Sequence, residues 1–168
     1  MLPSAYVDEN CSIARTLELV GERWTLLIIR QALLGTRRFD EFQSELGIAR
    51  NVLSTRLERL VEAGILRRSL YEERPKRYEY RLTKKGTDLW PVLMAMLQWG
   101  DRYEAPEGPP VVIEHRDCGG ELDDRRRCRR CGQELEAWQV VRRPGPGWIG
   151  GRSSSGDAPG IPRVPAAR

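Results

Sequence analysis

The chain has 168 residues, of which 40% are apolar and 31% charged, with a formal net charge of +4; this suffices for the buried core of one ordinary domain plus an appendage. No run approaches the roughly 18 apolar residues of a membrane span, and the start, Met1-Leu2-Pro3-Ser4-Ala5, lacks a basic segment leading into an apolar one. A membrane or secreted protein is therefore not expected, and the cytoplasm is the expected location.

In chain order, Ile13, Leu17 and Val20 fall on one stripe of a first helix, which Gly21 interrupts. The following segment, Trp24 to Leu34, is apolar almost all round and predicts a buried helix ending at Gly35. Arg37 and Arg38 occupy a short turn, and residues 39–46 form a third, short helix with Phe39, Phe42 and Leu46 inward. Gly47 turns the chain into a fourth helix, in which Leu53, Leu57, Leu60 and Val61 face a core while Asn51, Ser54, Thr55 and Glu58 face out. A short helix, a glycine-containing turn and a second helix with a polar outer side make a helix-turn-helix.

Residues 65–71 and 78–83 are rich in strand formers and flank the polar, proline-containing stretch 72–77, which predicts an antiparallel hairpin with a basic tip, a wing. Thr83 is the expected N-cap of a helix over 84–103, kinked or broken near Leu89 by Pro91. Its surplus apolar surface predicts self-association. Residues 1–104 then form one domain, 105–110 a linker, 111–141 a small second module and 142–168 a disordered tail rich in Gly, Pro, Ser and Arg.

The charge is unevenly spread: from Arg37 to Lys85 there are thirteen Lys and Arg against eight Asp and Glu. Cations at this density suit a polyanion, because phosphate contacts release condensed counterions. Small polar side chains near a helix start can approach base edges in the major groove, and Arg50 and Arg56 can reach guanine or phosphate, so Asn51, Ser54, Thr55 and Arg56 are expected to read bases. Arg37 and Arg38 are placed to grip the backbone, and Arg74, Lys76 and Arg77 at the wing tip to reach phosphates or the adjacent minor groove. The partner so predicted is double-stranded DNA.

The segments Cys11-Ser12-Ile13 to Leu17, Gly21-Glu22-Arg23-Trp24-Thr25-Leu26-Leu27-Ile28, Arg37-Arg38-Phe39-Asp40-Glu41-Phe42, Val52-Leu53-Ser54-Thr55-Arg56-Leu57 and Tyr78 to Gly86 together resemble the HxlR-type winged helix-turn-helix regulators of bacteria and archaea. The resemblance covers about residues 11–99. It implies a homodimeric transcription factor on a (pseudo)palindromic operator, a repressor or dual regulator, with the N-terminal helix and the 84–103 helix as the dimer contact. It also makes Cys11 a candidate redox sensor, the rival role being a small packing residue at that contact; Ser12 follows where the family commonly has proline.

Within residues 115–135 one phrase occurs twice: His115-x-x-Cys118-Gly-Gly-Glu-Leu and Cys128-x-x-Cys131-Gly-Gln-Glu-Leu. Two such turns facing each other offer His115, Cys118, Cys128 and Cys131 as tetrahedral ligands, so one structural zinc per chain is expected in a zinc-ribbon-like module. Glycine after each pair permits the tight knuckle. From Ala105 to Arg143 eight basic residues face eight acidic ones, which favours a solvated or partner-facing surface over DNA. The expected fold is mainly α, of α+β type: a winged helix-turn-helix domain, a zinc-ribbon-like module and a tail. A rival reading makes the winged helix a protein-interaction module that docks to transcription machinery through the ribbon. An enzyme has no support, since the one histidine is assigned to metal and no nucleophile–base pair or phosphate-cradling loop is evident.

Overall fold

The computed structural model describes residues 10–149. They form two compact units, one comprising residues up to Ala32 with Thr36–Gly86, the other Leu33–Gly35 with everything from Thr87 on. The 150–168 part of the expected tail lies outside the described residues.

The N-terminal unit begins with α1 (Ser12–Val20) and α2 (Thr25–Leu33), continues with α3 (Phe39–Leu46) and α4 (Arg50–Glu62), and closes with strands β1 (Leu66–Glu73) and β2 (Lys76–Leu82) and the single turn α5 (Lys84–Thr87). Its core is Ile28, Ile29, Phe42, Leu53, Leu57, Leu60, Ile65 and Leu66, each at most 1% exposed. Burial of each such side chain stabilises by about 1.5–3 kcal/mol before entropy is counted. The α3–α4 turn depends on Gly47, which ends α3 at φ +64 with its N–H donated to the Gln43 carbonyl. That left-handed conformation favours glycine.

The apolar stripe of α1 does not all enter this core: Val20 is buried, whereas Ile13 is 71% exposed and Leu17 44%. Ile13 and Leu17, four residues apart, share a side of the helix that the described chain leaves open.

The wing is longer and its turn tighter than the sequence suggests. β1 and β2 pair antiparallel from Leu66↔Leu82 to Glu73↔Lys76, so Lys76 and Arg77 are strand residues and only Arg74 and Pro75 make the turn. The register shifts between Leu70 and Glu72, making Tyr71 the extra residue of a bulge. At the wing's base, Thr83 accepts the Gly86 N–H through its hydroxyl and donates that hydroxyl to the Gly64 carbonyl at 2.6 Å, the expected N-cap.

In the C-terminal unit, α6 (Trp90–Tyr103) starts afresh after α5, with Pro91 in its first turn, where a missing N–H costs nothing. The expected long helix is thus two helices. Val92, Met96, Trp99 and Tyr103, at i, i+4, i+7 and i+11, form an open stripe on α6, each 42–61% exposed. Strand β3 (Val111–His115) pairs antiparallel with β4 (Val140–Pro144), from Val111↔Pro144 to His115↔Val140, and a 3-10 turn over Ala137–Gln139 leads into β4. The sequence reading begins the tail at residue 142, but Arg142, Arg143 and Pro144 are strand residues: their backbone pairs with Ile113, Val112 and Val111 despite their polar character. Gln98 of α6 donates to the Asp123 carbonyl at 2.8 Å, which ties the helix to the small module.

Candidate nucleic-acid interface and metal centre

α4 is sided as its pattern requires. Leu53, Leu57 and Leu60 lie on the core, and Asn51, Thr55 and Glu58 are exposed with Ser54 half-buried beside them. These four polar positions are i, i+4, i+7 and i+3 of one another and make a single stripe. The Ser54 hydroxyl donates to Glu58 at 3.1 Å, and the Thr55 hydroxyl returns to the Asn51 carbonyl at 3.0 Å. Ala49 caps the helix without a side-chain hydrogen bond, so the first-turn N–H groups of α4 have no side-chain acceptor there.

Arg50 lies over the Phe39 ring at 4.8 Å and pairs with Asp40 at 3.8 Å, both charged side chains well exposed. Pairs so exposed are worth little and open readily. Arg56 is placed differently. Its side chain is only 18% exposed, and its Nη2 donates to Glu22 Oε2 at 2.8 Å, so it does not share the outward stripe with Asn51, Ser54 and Thr55.

The Arg37–Arg38 segment is held between α3 and the wing. Glu41 accepts the backbone N–H groups of Arg37 and Arg38 at 3.2 and 3.0 Å, while the Arg37 carbonyl accepts the Tyr80 N–H at 2.8 Å. The Arg38 side chain is exposed, with its guanidinium over the bulged Tyr71 ring at 5.0 Å; Arg37 is half-buried. On the wing, Arg74, Lys76 and Arg77 are all exposed. Arg77 pairs with Glu72 at 3.3 Å; a hydrogen bond with Tyr71 and the Glu72 carboxylate raise its pKa further, so it stays a cation. Backbone anchors therefore fix where these cations start, and their heads remain at the surface.

The second cluster lies in the small module. The ligand atoms of His115, Cys118, Cys128 and Cys131 all lie within 4.8 Å of one another. His115 Nδ1 is 3.3 Å from the sulfurs of both Cys118 and Cys131, and the Cys118 and Cys128 sulfurs are 3.3 Å apart. Around zinc these separations would be roughly 3.5–3.8 Å, given metal–ligand bonds of about 2.0–2.3 Å. The four cysteines of the chain are free thiols. Gly119 and Gly132, each after the second member of a pair, have φ +69 and +75, the left-handed turn that a knuckle needs.

Three further observations fit a metal. The N–H groups of Arg130 and Cys131 point at the Cys128 sulfur at 3.4 and 3.5 Å. A Cβ on Gly120 would stand 2.4 Å from that same sulfur, so the backbone comes as close as glycine allows. His115 is 3% exposed, and it is its Nδ1 that meets the sulfurs, leaving Nε2 to face the Asp117 carboxylate at 3.6 Å. Burial opposes ionisation of Cys128, yet hydrogen bonds from the Cys131 and Arg130 N–H groups and from the Cys118 and Cys131 side chains together outweigh it and lower the thiol to about 6. At Cys118 the Gly120 N–H favours the thiolate, but burial and the neighbouring Cys128 and Cys131 outweigh it and raise the pKa. Cys11, outside both clusters, is half-buried at the residue preceding α1 and makes no side-chain cap bond.

Fold and surface together define a winged-helix, DNA-binding type of transcriptional regulator, and comparison with known proteins agrees. Residues 19–108 match the HxlR-like helix-turn-helix model. The chain belongs to that family, whose members are regulators and not enzymes. It is 49% identical to the uncharacterised HTH-type transcriptional regulator Rv3095 of Mycobacterium tuberculosis over 148 residues, covering 88% of this chain and 94% of the relative. An alignment of that length must contain residues 21–148 and so runs through the module as well as the wing. Among solved structures, PA1607, described as a candidate transcription factor, superposes with a TM-score of 0.64 at 41% identity, covering 76% of this chain and 90% of its own. The redox regulator HypR in its oxidised form superposes with a TM-score of 0.51 at 31% identity, covering 55% of this chain and 96% of its own. Among the described residues no helix is long and apolar enough to cross a membrane.

Proposed function

We propose that the protein acts in the cytoplasm as a homodimer that represses or dually regulates transcription from a (pseudo)palindromic operator in duplex DNA. α4 enters the major groove, where Asn51, Ser54 and Thr55 read base edges and Arg50 swings from Asp40 to a guanine or phosphate. Arg37 and Arg38 hold the backbone beside it, and Arg74, Lys76 and Arg77 of the wing hold phosphates or enter the minor groove. The observation that carries this reading is the one-sided stripe of α4, small and polar over a fully buried leucine face, with exposed cations before and after it in the fold.

The dimer contact uses surface that the described chain leaves open: Ile13 and Leu17 on α1, and the Val92, Met96, Trp99 and Tyr103 stripe on α6. The Cys/His cluster holds one structural zinc, since four protein ligands leave no position for water. Cys11, half-buried just before α1, is a candidate redox-responsive group, the rival role being a small packing residue at the dimer contact; the structural relative HypR is a redox regulator.

The test begins with selection from a random duplex pool. Wild-type protein should enrich one sequence, and Asn51→Ala should change the preferred base at a position of that sequence at a cost of about 1–3 kcal/mol. Enrichment of no sequence, or affinity that does not fall with salt, would favour the protein-interaction reading instead. Elemental analysis should find about one zinc per chain. Diamide should alter DNA binding by wild type and not by Cys11→Ser; equal responses would remove the sensor role.

A further inference from the structure

Leucines hold α4 to the core, but apolar contact is non-directional and tolerates rotation of a helix about its own axis. Reading bases does not tolerate it, because a small roll moves Asn51, Ser54 and Thr55 together. A directional contact is needed, and α4 has one. Arg56 lies about 140° round the helix from Asn51, at 3.6 residues per turn, on the flank nearer Leu53 and Leu60. Its Nη2 meets Glu22 Oε2 at 2.8 Å, and Arg59, one turn on, meets Glu22 Oε1 at 3.7 Å.

Glu22 is itself fixed. The Gly21 N–H donates to the Leu17 carbonyl at 2.7 Å, and the Thr25 N–H to the Glu22 carbonyl at 2.9 Å, so the carboxylate hangs from a two-sided turn between α1 and α2. A Cβ at position 21 would come within 2.6 Å of the Leu17 carbonyl oxygen, which restricts this turn to glycine. On the other partner, Arg56 Nε is sealed from solvent without a hydrogen bond and the side chain is 18% exposed. An exposed ion pair would contribute little. Here removal of the carboxylate leaves a largely buried cation uncompensated.

We propose that Glu22 and Arg56 are a positioning pair that sets the roll of α4 and thereby aims Asn51, Ser54 and Thr55, and that Arg56 touches neither base nor phosphate. This rests on the DNA-reading role of α4 proposed above. It reassigns Arg56, which sequence alone places among the contact residues, and gives Glu22 a part in specificity.

The test compares wild type, Glu22→Gln, Arg56→Ala and the double variant on the duplex enriched by wild type and on a scrambled duplex of equal length, across a salt series. Removing an acidic charge near a polyanion should by charge alone tighten binding. The positioning role predicts the opposite for Glu22→Gln: about tenfold weaker binding to the enriched duplex, with the scrambled duplex unaffected or tighter. Arg56→Ala should weaken the enriched duplex similarly with an unchanged salt slope, and the double variant should be no worse than Arg56→Ala, because Glu22 acts through Arg56. Circular dichroism on each variant establishes that it is folded; Glu22 is 49% exposed at its side chain, and its amide replacement keeps that shape. The inference is overturned if folded Glu22→Gln binds the enriched duplex as tightly as wild type, if Arg56→Ala lowers the salt slope by about one, or if the two losses add. Failure of wild type to enrich any sequence would instead overturn the DNA-reading role on which the pair depends.

Discussion

The winged helix and the small module after it solve the same folding problem by different means. In the first, Ile28, Ile29, Phe42, Leu53, Leu57 and Leu60 are sealed from solvent and hold the helices without assistance. In residues 111–144 the buried apolar residues are few, Ile113, Leu135, Ala137 and Val140, and the centre is instead His115 and Cys128 with Cys118 beside them. A region that buries so little apolar surface gains little from apolar contact to set against its conformational entropy, and on the zinc reading proposed above metal–ligand bonds contribute the difference. The difference teaches where each region is vulnerable: the winged helix to cavities, the module to loss of one ligand atom.

The largest expected effect lies in the module. Cys128→Ser, or a strong chelator, should abolish zinc binding and unfold residues 111–144, since structural zinc contributes on the order of 10 kcal/mol to such modules. Amide exchange should then rise across β3 and β4 and stay slow in α2 and α4; loss of protection in α4 as well would show that the two regions fold as one. Next in size, Leu57→Ala, at a side chain with no exposure, should cost about 2–5 kcal/mol in the denaturation midpoint of the N-terminal unit and leave zinc content unchanged.

Smaller again is Arg77→Ala on the wing, which should weaken binding to all duplexes alike and reduce the salt slope by about one, with no change in thermal midpoint. A change of preferred sequence would instead make Arg77 a base reader. The smallest effect concerns pH. The Arg81 guanidinium, 2.7 Å from Glu79, holds that carboxyl below its usual range against the opposing effect of burial. A carboxyl pKa depressed by folding stabilises above its unfolded value, about 4.3, and that contribution is lost as pH falls through the folded value. Wild type should therefore lose more stability than Glu79→Gln between pH 6 and pH 3; equal losses would assign the acid sensitivity elsewhere.

Sequence periodicity made the helices of the winged helix legible, because 3.6-residue spacing of apolar side chains records which side is buried, as at Leu53, Leu57 and Leu60. The duplicated phrase at His115 and Cys128 was legible for another reason: ligand spacing is local, and two matched knuckles need only face each other. What escaped was tertiary. Glu22 is 34 positions from Arg56, and nothing local to either marks the pair. The wing turn was read too long because Glu72, Glu73, Lys76 and Arg77 are polar, though cross-strand pairing suits charged partners at an exposed edge. Composition likewise hid β4, whose Arg142 and Arg143 are strand residues paired with Ile113 and Val112. Ile13 and Leu17 carried a true apolar stripe without revealing that the described chain leaves them exposed.

The central claim is that α4 of two copies reads two related half-sites. The most direct measurement is a hydroxyl-radical footprint of the protein on the duplex enriched by wild type. The account predicts two protected patches related by a two-fold axis, with major-groove centres about 10 base pairs or a multiple of that apart, both lost on Asn51→Ala at the same protein concentration. A single asymmetric patch, or protection that Asn51→Ala leaves intact, would contradict it.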